Sequence, residues 1–239
     1  MADASPPPTP TSGTAAERWA AVLQAQALLQ THFPECVLVG GTAAALHAGH
    51  RHSLDGDHVL TDLRSRFPAM LQRLERLAGW KTRRVLAPVE VLGRFQGVPT
   101  GIRQLRRHEP LETETIAGIR VPSLAEMLRI KGWLIVSRNA TRDYLDFCAL
   151  AQRTGSALDL ALRPLDGLYP QASGESVTRQ LARQLAEPQP WDLQGIDLRR
   201  YRGIAPPWDD WDHVTAQCRA VAQRVLQEIL GTAEGRDAP

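Results

Sequence analysis

The stretch from Val37 to Val59 reads VLVGGTAAALHAGHRHSLDGDHV, and the fold follows from it. With Cys36 before them, its first three residues make a short apolar run of the kind that forms a buried strand. That run empties into Gly40-Gly41-Thr42, and the alanine-rich residues 43–48 predict a helix. A strand feeding a helix in this way presents free backbone N–H groups at the helix's positive end. Without side chains at Gly40 and Gly41, a triphosphate can lie against them. A Gly-Gly pair also serves simply to reverse a chain. Residues 53–60 predict a second strand, on which Asp55 and Asp57 stand two apart and point to the same face. Two carboxylates this close repel unless a cation sits between them. Mg²⁺ suits such a pair, because it takes one or two carboxylates plus substrate phosphates. The plainer reading of the pair is two solvated acids on an edge strand.

Outward from this stretch, residues 15–31 are apolar at helical spacing (Trp19, Val22, Leu23, Leu29), with Gln26 the one polar interruption. Residues 62–77 predict a basic helix with Leu63, Phe67, Met70, Leu71 and Leu74 towards one side. Pro68 either kinks it or marks its first turn. Residues 82–86, 89–95, 98–105 and 115–121 read as strands of one mixed sheet. Ser123 and Glu126 form a capping box that opens a helix over 124–136. Further helices are expected at 141–152, 156–165, 176–186 and 211–230. The segment 188–210 between the last two is irregular and rich in Pro and Trp. It reads as a docking surface or as a tail pinned to the core. The fold class is α+β: a disordered leader (1–14), a mixed-sheet domain flanked by helices (15–122), a helical domain (123–230) and a tail (231–239).

Among 239 residues the formal charge is only +2, but it is unevenly spread. Lys81 and Lys131 are the only lysines, so 26 of the 28 positive charges are arginine. Between Arg64 and Arg107 the local balance is +9, which leaves −7 for the remainder. That stretch reads either as a track for the backbone of an RNA acceptor or as a solvated basic face. No apolar run approaches the ~18 residues needed to span a bilayer, so no membrane partner is expected. The first residues carry no basic-then-apolar signal pattern. Cys36, Cys148 and Cys218 are odd in number and far apart, which fits neither a disulfide framework nor a cysteine-based zinc site. A reducing cytoplasm is the expected compartment.

Two further features add chemistry. Lys131 lies among Met127, Leu128, Ile130 and Leu134, an apolar setting in which it either snorkels to solvent or reaches a phosphate as a compact charge. Arg142, Asp143 and Asp146 open the next helix, the two acids sharing one face. Together the string Gly40-Gly41-Thr42, His50-Arg51-x-Ser53-x-Asp55-x-Asp57, Ile130-Lys131 and Arg142-Asp143-x-x-Asp146 resembles the AbiEii/AbiGii-type nucleotidyltransferases. These belong to the polymerase-β-like superfamily and include toxins of type IV toxin–antitoxin pairs. The resemblance runs from about Val37 to Leu150, and more loosely through Tyr201-Arg202-Gly203-Ile204 to Val214.

It implies transfer of a nucleoside monophosphate from an NTP to an acceptor, such as tRNA or a protein, with a cognate antitoxin as partner. Asp55 and Asp57 would hold Mg²⁺. Gly40, Gly41, Thr42, Arg51 and Ser53 would bind the nucleotide, and Lys131 would neutralise the leaving pyrophosphate. Asp143 would accept the acceptor's proton or complete the metal site, with Asp146 orienting a neighbour and His50 contacting phosphate or packing beneath the loop.

The chain departs from the family at Gly56, where an apolar residue usually stands, and at His58, which replaces an aromatic or aliphatic one. It also lacks the third carboxylate that a later strand generally supplies. Glu90 or Asp143 would have to substitute. A nucleotidyltransferase fold that binds nucleotide or a protein partner without turnover is therefore the alternative. A zinc hydrolase built on His47, His50, His52 and His58 is a remote one, since Leu54 and the late Asp57-His58 pair break the expected ligand register.

Overall fold

In the computed structural model residues 13–234 are described, with side chains to residue 227. The expected leader thus lies outside the described residues except for Gly13 and Thr14, as does the expected tail beyond residue 234. Helix α1 (Ala15–His32) starts at a capping box: Thr14 Oγ1 accepts from Glu17 N at 3.2 Å, and Glu17 accepts from Thr14 N at 2.6 Å. Then follow β1 (Val37–Val39), α2 (Gly40–Ala48), β2 (Gly56–Leu60), α3 (Leu63–Arg76), β3 (Trp80–Leu86), β4 (Glu90–Phe95) and β5 (Val98–Gln104).

These strands form one five-stranded mixed sheet in the order β1-β2-β5-β4-β3. β2 and β5 run parallel, with Asp57 opposite Gly101 and Val59 opposite Arg103; the other pairs are antiparallel. Alternation along β2 then fixes the two faces. Gly56, His58 and Leu60 are buried, while Asp57 and Val59 point to the other side. Helices α1 and α3 cover the first face, packing Val22, Leu29, Leu63, Phe67, Met70 and Leu74 against Leu60, Val91, Phe95 and Ile102. Each such buried side chain contributes about 1.5–3 kcal/mol.

Gln26 sits in this core, fully buried, and neither end of its amide meets a protein partner. A Cβ added at Gly56 would lie 2.2 Å from its carboxamide. The glycine between the two aspartates and the polar interruption in α1 therefore occupy each other's space.

The expectation of a single sheet that includes residues 115–121 is corrected. β6 (Thr113–Ile116) and β7 (Ile119–Pro122) form a separate two-stranded hairpin, because Ala117 and Gly118 both take positive φ (51° and 75°) and turn the chain back. The basic helix is broken at Arg66 (φ −119°, ψ 19°), two residues before Pro68, which sits in the first turn of the straight part.

The helical half comprises α4 (Leu124–Arg138), α5 (Thr141–Thr154), α6 (Leu158–Leu162), α7 (Leu165–Leu168), α8 (Val177–Ala186) and α9 (Trp211–Glu234). The helix expected over 156–165 is thus two short ones. At the start of α4 only half of the capping box forms. Ser123 Oγ accepts from Glu126 N at 3.3 Å, but the Glu126 carboxylate turns inward to Arg107. A second core joins Leu38 of β1, Ala43 and Ala44 of α2 and Ile119 and Val121 of β7 to residues of α4, α5, α8 and α9. Packing therefore continues across residues 122–123, where the texture of the sequence changes.

The irregular segment 188–210 is pinned to this body rather than extended from it. Trp208 is buried with its ring edge-on to His50 and His213, whereas Trp191 stays exposed. Backbone bonds from His52 N to Arg202 O (2.8 Å) and from Ala205 N to His50 O (2.9 Å) strap residues 202–205 onto residues 50–52.

Candidate nucleotide site

A cleft of about 890 Å³ opens on the face of the sheet opposite α1 and α3. It is walled by the start of α2, the loop before β2, the ends of β2 and β5, one side of α4 and the strap. Gly40, Gly41, Arg51, Ser53, Asp55, Asp57 and Lys131 all line it.

Helix α2 begins at Gly40 itself, and no side chain caps its first turn. Its leading N–H groups therefore point to the cleft without a protein acceptor from a capping residue. Gly40 takes a positive φ of 73°, and a Cβ there would stand 3.4 Å from Asp57 Oδ2. At Gly41 a Cβ would meet Arg51 Nη2 at 2.6 Å and Ser53 Oγ at 3.1 Å. The pair thus lets the helix start close against both the carboxylate and the arginine. Thr42 does not face the cleft. It is buried, and its hydroxyl donates to the Asp55 carbonyl at 2.5 Å, so it is unavailable as a donor to phosphate and instead fixes the loop.

Asp55 stands exposed just before β2, with Oδ1 held by the Ser53 hydroxyl at 2.7 Å. Asp57 projects from β2 into the cleft. Its side chain is a third open to solvent, yet protein rings the carboxyl. Burial pushes its pKa above the ordinary value and Asp55's charge adds to that, with Arg103 opposing. Arg103 Nη1 donates to Asp57 Oδ1, and Arg103 Nε donates to Glu90 at 2.8 Å.

Glu90, considered above as a substitute third carboxylate, does not reach the aspartates. It lies on β4 opposite Arg103, and hydrogen bonds from Arg103 and Arg84 hold its carboxyl below the usual value against the effect of burial. On the face that Asp57 shares, position 101 is bare and position 103 is arginine.

Lys131, Asp143 and Asp146 come together in a buried network, of which Lys131 lines the cleft and the two acids lie behind it. Lys131 Nζ lies 2.7 Å from Asp146 and 3.2 Å from Asp143, with the lysine only 1% exposed. Its ammonium is thus spent on two carboxylates instead of being presented to a phosphate. Asp143 also accepts from Arg138 through both oxygens; fully buried and paired with two cations, it does not line the cleft, so the structure does not bring it beside Asp55 and Asp57 as a base or metal ligand. Asp146 accepts from His50 Nε2 at 2.7 Å and from Arg51 at 2.7 and 2.9 Å. Burial alone would raise its pKa, but Arg51, Lys131 and His50 outweigh this and hold it well below the carboxylate range. In the same way Asp146 raises Arg51 against the effect of burial. His50 packs beneath the loop, and Arg51 reaches the cleft as a fixed, already paired charge.

The four histidines of the zinc reading diverge. His47 bonds the Pro122 carbonyl, His50 turns to Asp146, His52 stacks on Trp19 at 5.3 Å, and His58 is buried in the α1/α3 core. Among the described residues no three His, Cys, Asp or Glu side chains group as a metal site.

The Arg64–Arg107 stretch does not form one track. Arg66 and Arg73 sit on the α3 side, paired with Glu35, while Arg103, Arg106 and Arg107 line the cleft. Two of the cleft's other basic residues, Arg142 and Arg202, stood in the sequence motifs without a role, and Arg138 and Arg200 were missed altogether. Their signal was faint: only the assembled fold places the end of α4, the start of α5 and the strap on one wall.

Mg²⁺ takes carboxylate oxygens together with substrate phosphates. Asp55 and Asp57 offer two carboxylates on one side of the cleft, with Asp55 Oδ2 and Asp57 Oδ2 free of hydrogen bonds from protein. That suits one ion completed by substrate phosphates. It does not suit a second ion, because the adjoining position carries the Arg103 guanidinium.

No protein-family model matches the chain. The solved structure of JHP933 from Helicobacter pylori superposes with a TM-score of 0.58 at 14% identity, covering 95% of this chain and 97% of that one. A candidate nucleotidyltransferase from H. pylori gives 0.51 at 14% identity over 91% and 96%. The fold is thus the one these two structures share, a five-stranded mixed sheet flanked by helices with a helical C-terminal part. In sequence, 138 residues are 37% identical to the heme uptake protein MmpL11 of Mycobacterium tuberculosis. Over 132 residues the chain is 35% identical to the mycolic acid-containing lipids exporter MmpL11 of Mycolicibacterium smegmatis. In both cases the match takes in 52% of this chain, and the chain spans about 13% of those relatives' length. Among the described residues no helix is long and apolar enough to cross a membrane.

Proposed function

We propose that the chain is a nucleotidyltransferase that moves a nucleoside monophosphate from an NTP to an acceptor. The observation that carries this reading is the meeting, in one arginine-walled cleft, of the uncapped start of α2 at Gly40-Gly41 with the Asp55 and Asp57 carboxylates. Backbone N–H groups and arginines recognise phosphate, and paired carboxylates recognise the cation that travels with it.

Asp55 and Asp57 would hold one Mg²⁺, which when bound spreads the charge of the phosphates and favours the attacking oxygen. The chain's own groups do the rest. The α2 N–H groups position the triphosphate, and Ser53 and Thr42 fix Asp55 in place. Arg138 and Arg142, both lining the cleft near Asp57, offset charge on the departing pyrophosphate. Lys131, with Asp143 and Asp146, holds Arg51 and the α4–α5 corner in position.

An RNA or protein acceptor, a toxin role of the AbiEii kind, a cognate antitoxin and a cytoplasmic setting accompany this proposal on the strength of the motif order alone. A second reading, nucleotide binding without turnover, is favoured by one observation: Arg103 rests on Asp57 where another carboxylate would strengthen metal binding.

Incubation of the protein with each labelled NTP, Mg²⁺ and bulk tRNA separates the two. Label transfer that disappears in Asp57→Ala supports the enzyme. Nucleotide binding with no transfer to any acceptor supports the silent module. A small antitoxin-like gene beside this one would favour the toxin role.

A further inference from the structure

In the lining of the same cleft, four side chains form a continuous stack. Arg106 lies over the Trp133 ring at 5.8 Å, and Trp133 stacks on Tyr169 at 5.2 Å with 20° between planes. Arg107 lies against Tyr169 at 5.7 Å. The inner end is immobile: Arg107 is buried, pairs with Glu126 through two bonds of 2.8 and 2.7 Å, and donates to the Glu109 and Pro110 carbonyls. The outer end is open. Arg106 is exposed and meets no carboxylate among the described residues, and Trp133 is half-buried. Arg106, Arg107, Trp133 and Tyr169 all line the same cleft as the aspartates.

A stack that is rigid at its root and loose at its last layer is suited to accept one more flat ring. A guanidinium resting on tryptophan is a weakly held, mobile cover at an exposed site. A planar heterocycle can slide between the two, stacking on the indole and being capped by the arginine. Position adds a constraint. Arg106 stands five residues beyond Gly101, the register partner of Asp57, so at roughly 3.3 Å per residue along β5 and about 4.8 Å between strands the two backbones are within about 21 Å. One part of the cleft recognises phosphate and another presents an aromatic face.

We propose that Trp133, floored by Tyr169 and covered by Arg106, is a nucleobase-stacking subsite of this cleft. The inference rests on reading the cleft as a nucleotide site. It adds that a base, not phosphate alone, contributes to recognition. The ring is supplied by the incoming NTP or by a single-stranded nucleic-acid acceptor. Both present the same face, and stacking of this kind tolerates any base.

The test titrates the full chain with each ribonucleoside triphosphate, with inorganic tripolyphosphate, and with a short single-stranded RNA that carries no triphosphate. Trp133→Ala, Trp133→Phe and Arg106→Ala are compared with the unaltered chain. If the NTP supplies the ring, Trp133→Ala weakens NTP binding about 5- to 150-fold, the range for loss of one base–aromatic stack. Tripolyphosphate binding stays unchanged, and Trp133→Phe restores NTP binding. If the acceptor supplies it, the RNA shows that pattern instead.

Equal losses for NTP, RNA and tripolyphosphate in Trp133→Ala would mean a packing role and overturn the proposal, as would no loss for NTP or RNA. Should Trp133→Ala not fold, Arg106→Ala serves, since it removes only the outermost layer; unchanged NTP and RNA binding there counts against the subsite. RNA binding that depends on Trp133, with no NTP or tripolyphosphate binding, would sink the transferase reading and leave the subsite standing.

Discussion

Arg103 on β5 donates to the Asp57 carboxylate on the parallel neighbour β2, so a fixed cation already sits on an acid proposed to hold Mg²⁺. The same guanidinium is anchored from behind by Glu90, which keeps it from swinging away. A divalent ion bound by Asp57 must share that carboxylate with Arg103. Replacing Arg103 with Gln is expected to tighten Mn²⁺ binding about tenfold, as the competing charge-assisted contact is lost. Mn²⁺ titration followed by electron paramagnetic resonance checks this; unchanged affinity would show that Asp57 is not a ligand.

Lys131 is predicted to act on stability first. With the lysine removed, Asp143 and Asp146 remain buried beside a lost positive charge, a change that typically costs about 3–5 kcal/mol. Lys131→Met should therefore lower the denaturation midpoint markedly. If Lys131→Met unfolds at the same denaturant concentration as the parent but loses all transfer activity, the residue belongs to the chemistry after all.

Gly56 and Gln26 should behave as one unit. Gly56→Ala forces a methyl into the Gln26 carboxamide and is expected to destabilise by about 1–3 kcal/mol, the usual cost of overpacking. In a Gln26→Ala background the same substitution should cost little. A double-mutant cycle by chemical denaturation reads the coupling, and simple additivity would contradict it.

His58 makes stability depend on pH in a stated direction. Burial pushes its pKa down from 6.5 to about 3, so the folded protein keeps it neutral while the unfolded chain protonates it below 6.5. Between those limits the unfolded state binds more protons. Its contribution is fully present above about pH 6.5 and is lost as pH falls towards 3, with a slope of at most about 1.4 kcal/mol per pH unit. Unfolding curves from pH 7.5 to 4.5, with His58→Leu as reference, should diverge towards acid. Parallel curves would show that His58 is not buried neutral.

The arrangement at Gly40-Gly41 and Asp57 was legible because it rests on local rules: strand alternation, glycine at a helix start and apolar periodicity. Those rules act within a few residues of chain. What they could not show was the company each group keeps. Lys131 stands out in composition as a free phosphate ligand, yet its two partners lie on α5, 12 and 15 positions away, and only the α4–α5 turn makes the pairing visible. Arg103 looks like one more residue of a basic stretch until the parallel β2–β5 register sets it on Asp57. Gly56 reads as a family departure, whereas in the fold the Gln26 side chain, thirty residues earlier, fills the space a Cβ would take. The hairpin at Ala117-Gly118 was misread because Ala at positive φ is uncommon and breaks no obvious pattern.

The strap that joins residues 202–205 to residues 50–52 bears on when the site can exist. Gly40, Gly41, Asp55 and Asp57 all lie between Val37 and Val59, but the His52 N–H and the His50 carbonyl take backbone partners from Arg202 and Ala205, about 150 positions later. During synthesis a growing chain therefore holds the motif long before it holds the means to fix it. The strapped arrangement forms only after residues 202–205 have emerged and folded back, and a chain cut short before them would carry residues 50–52 without those two bonds.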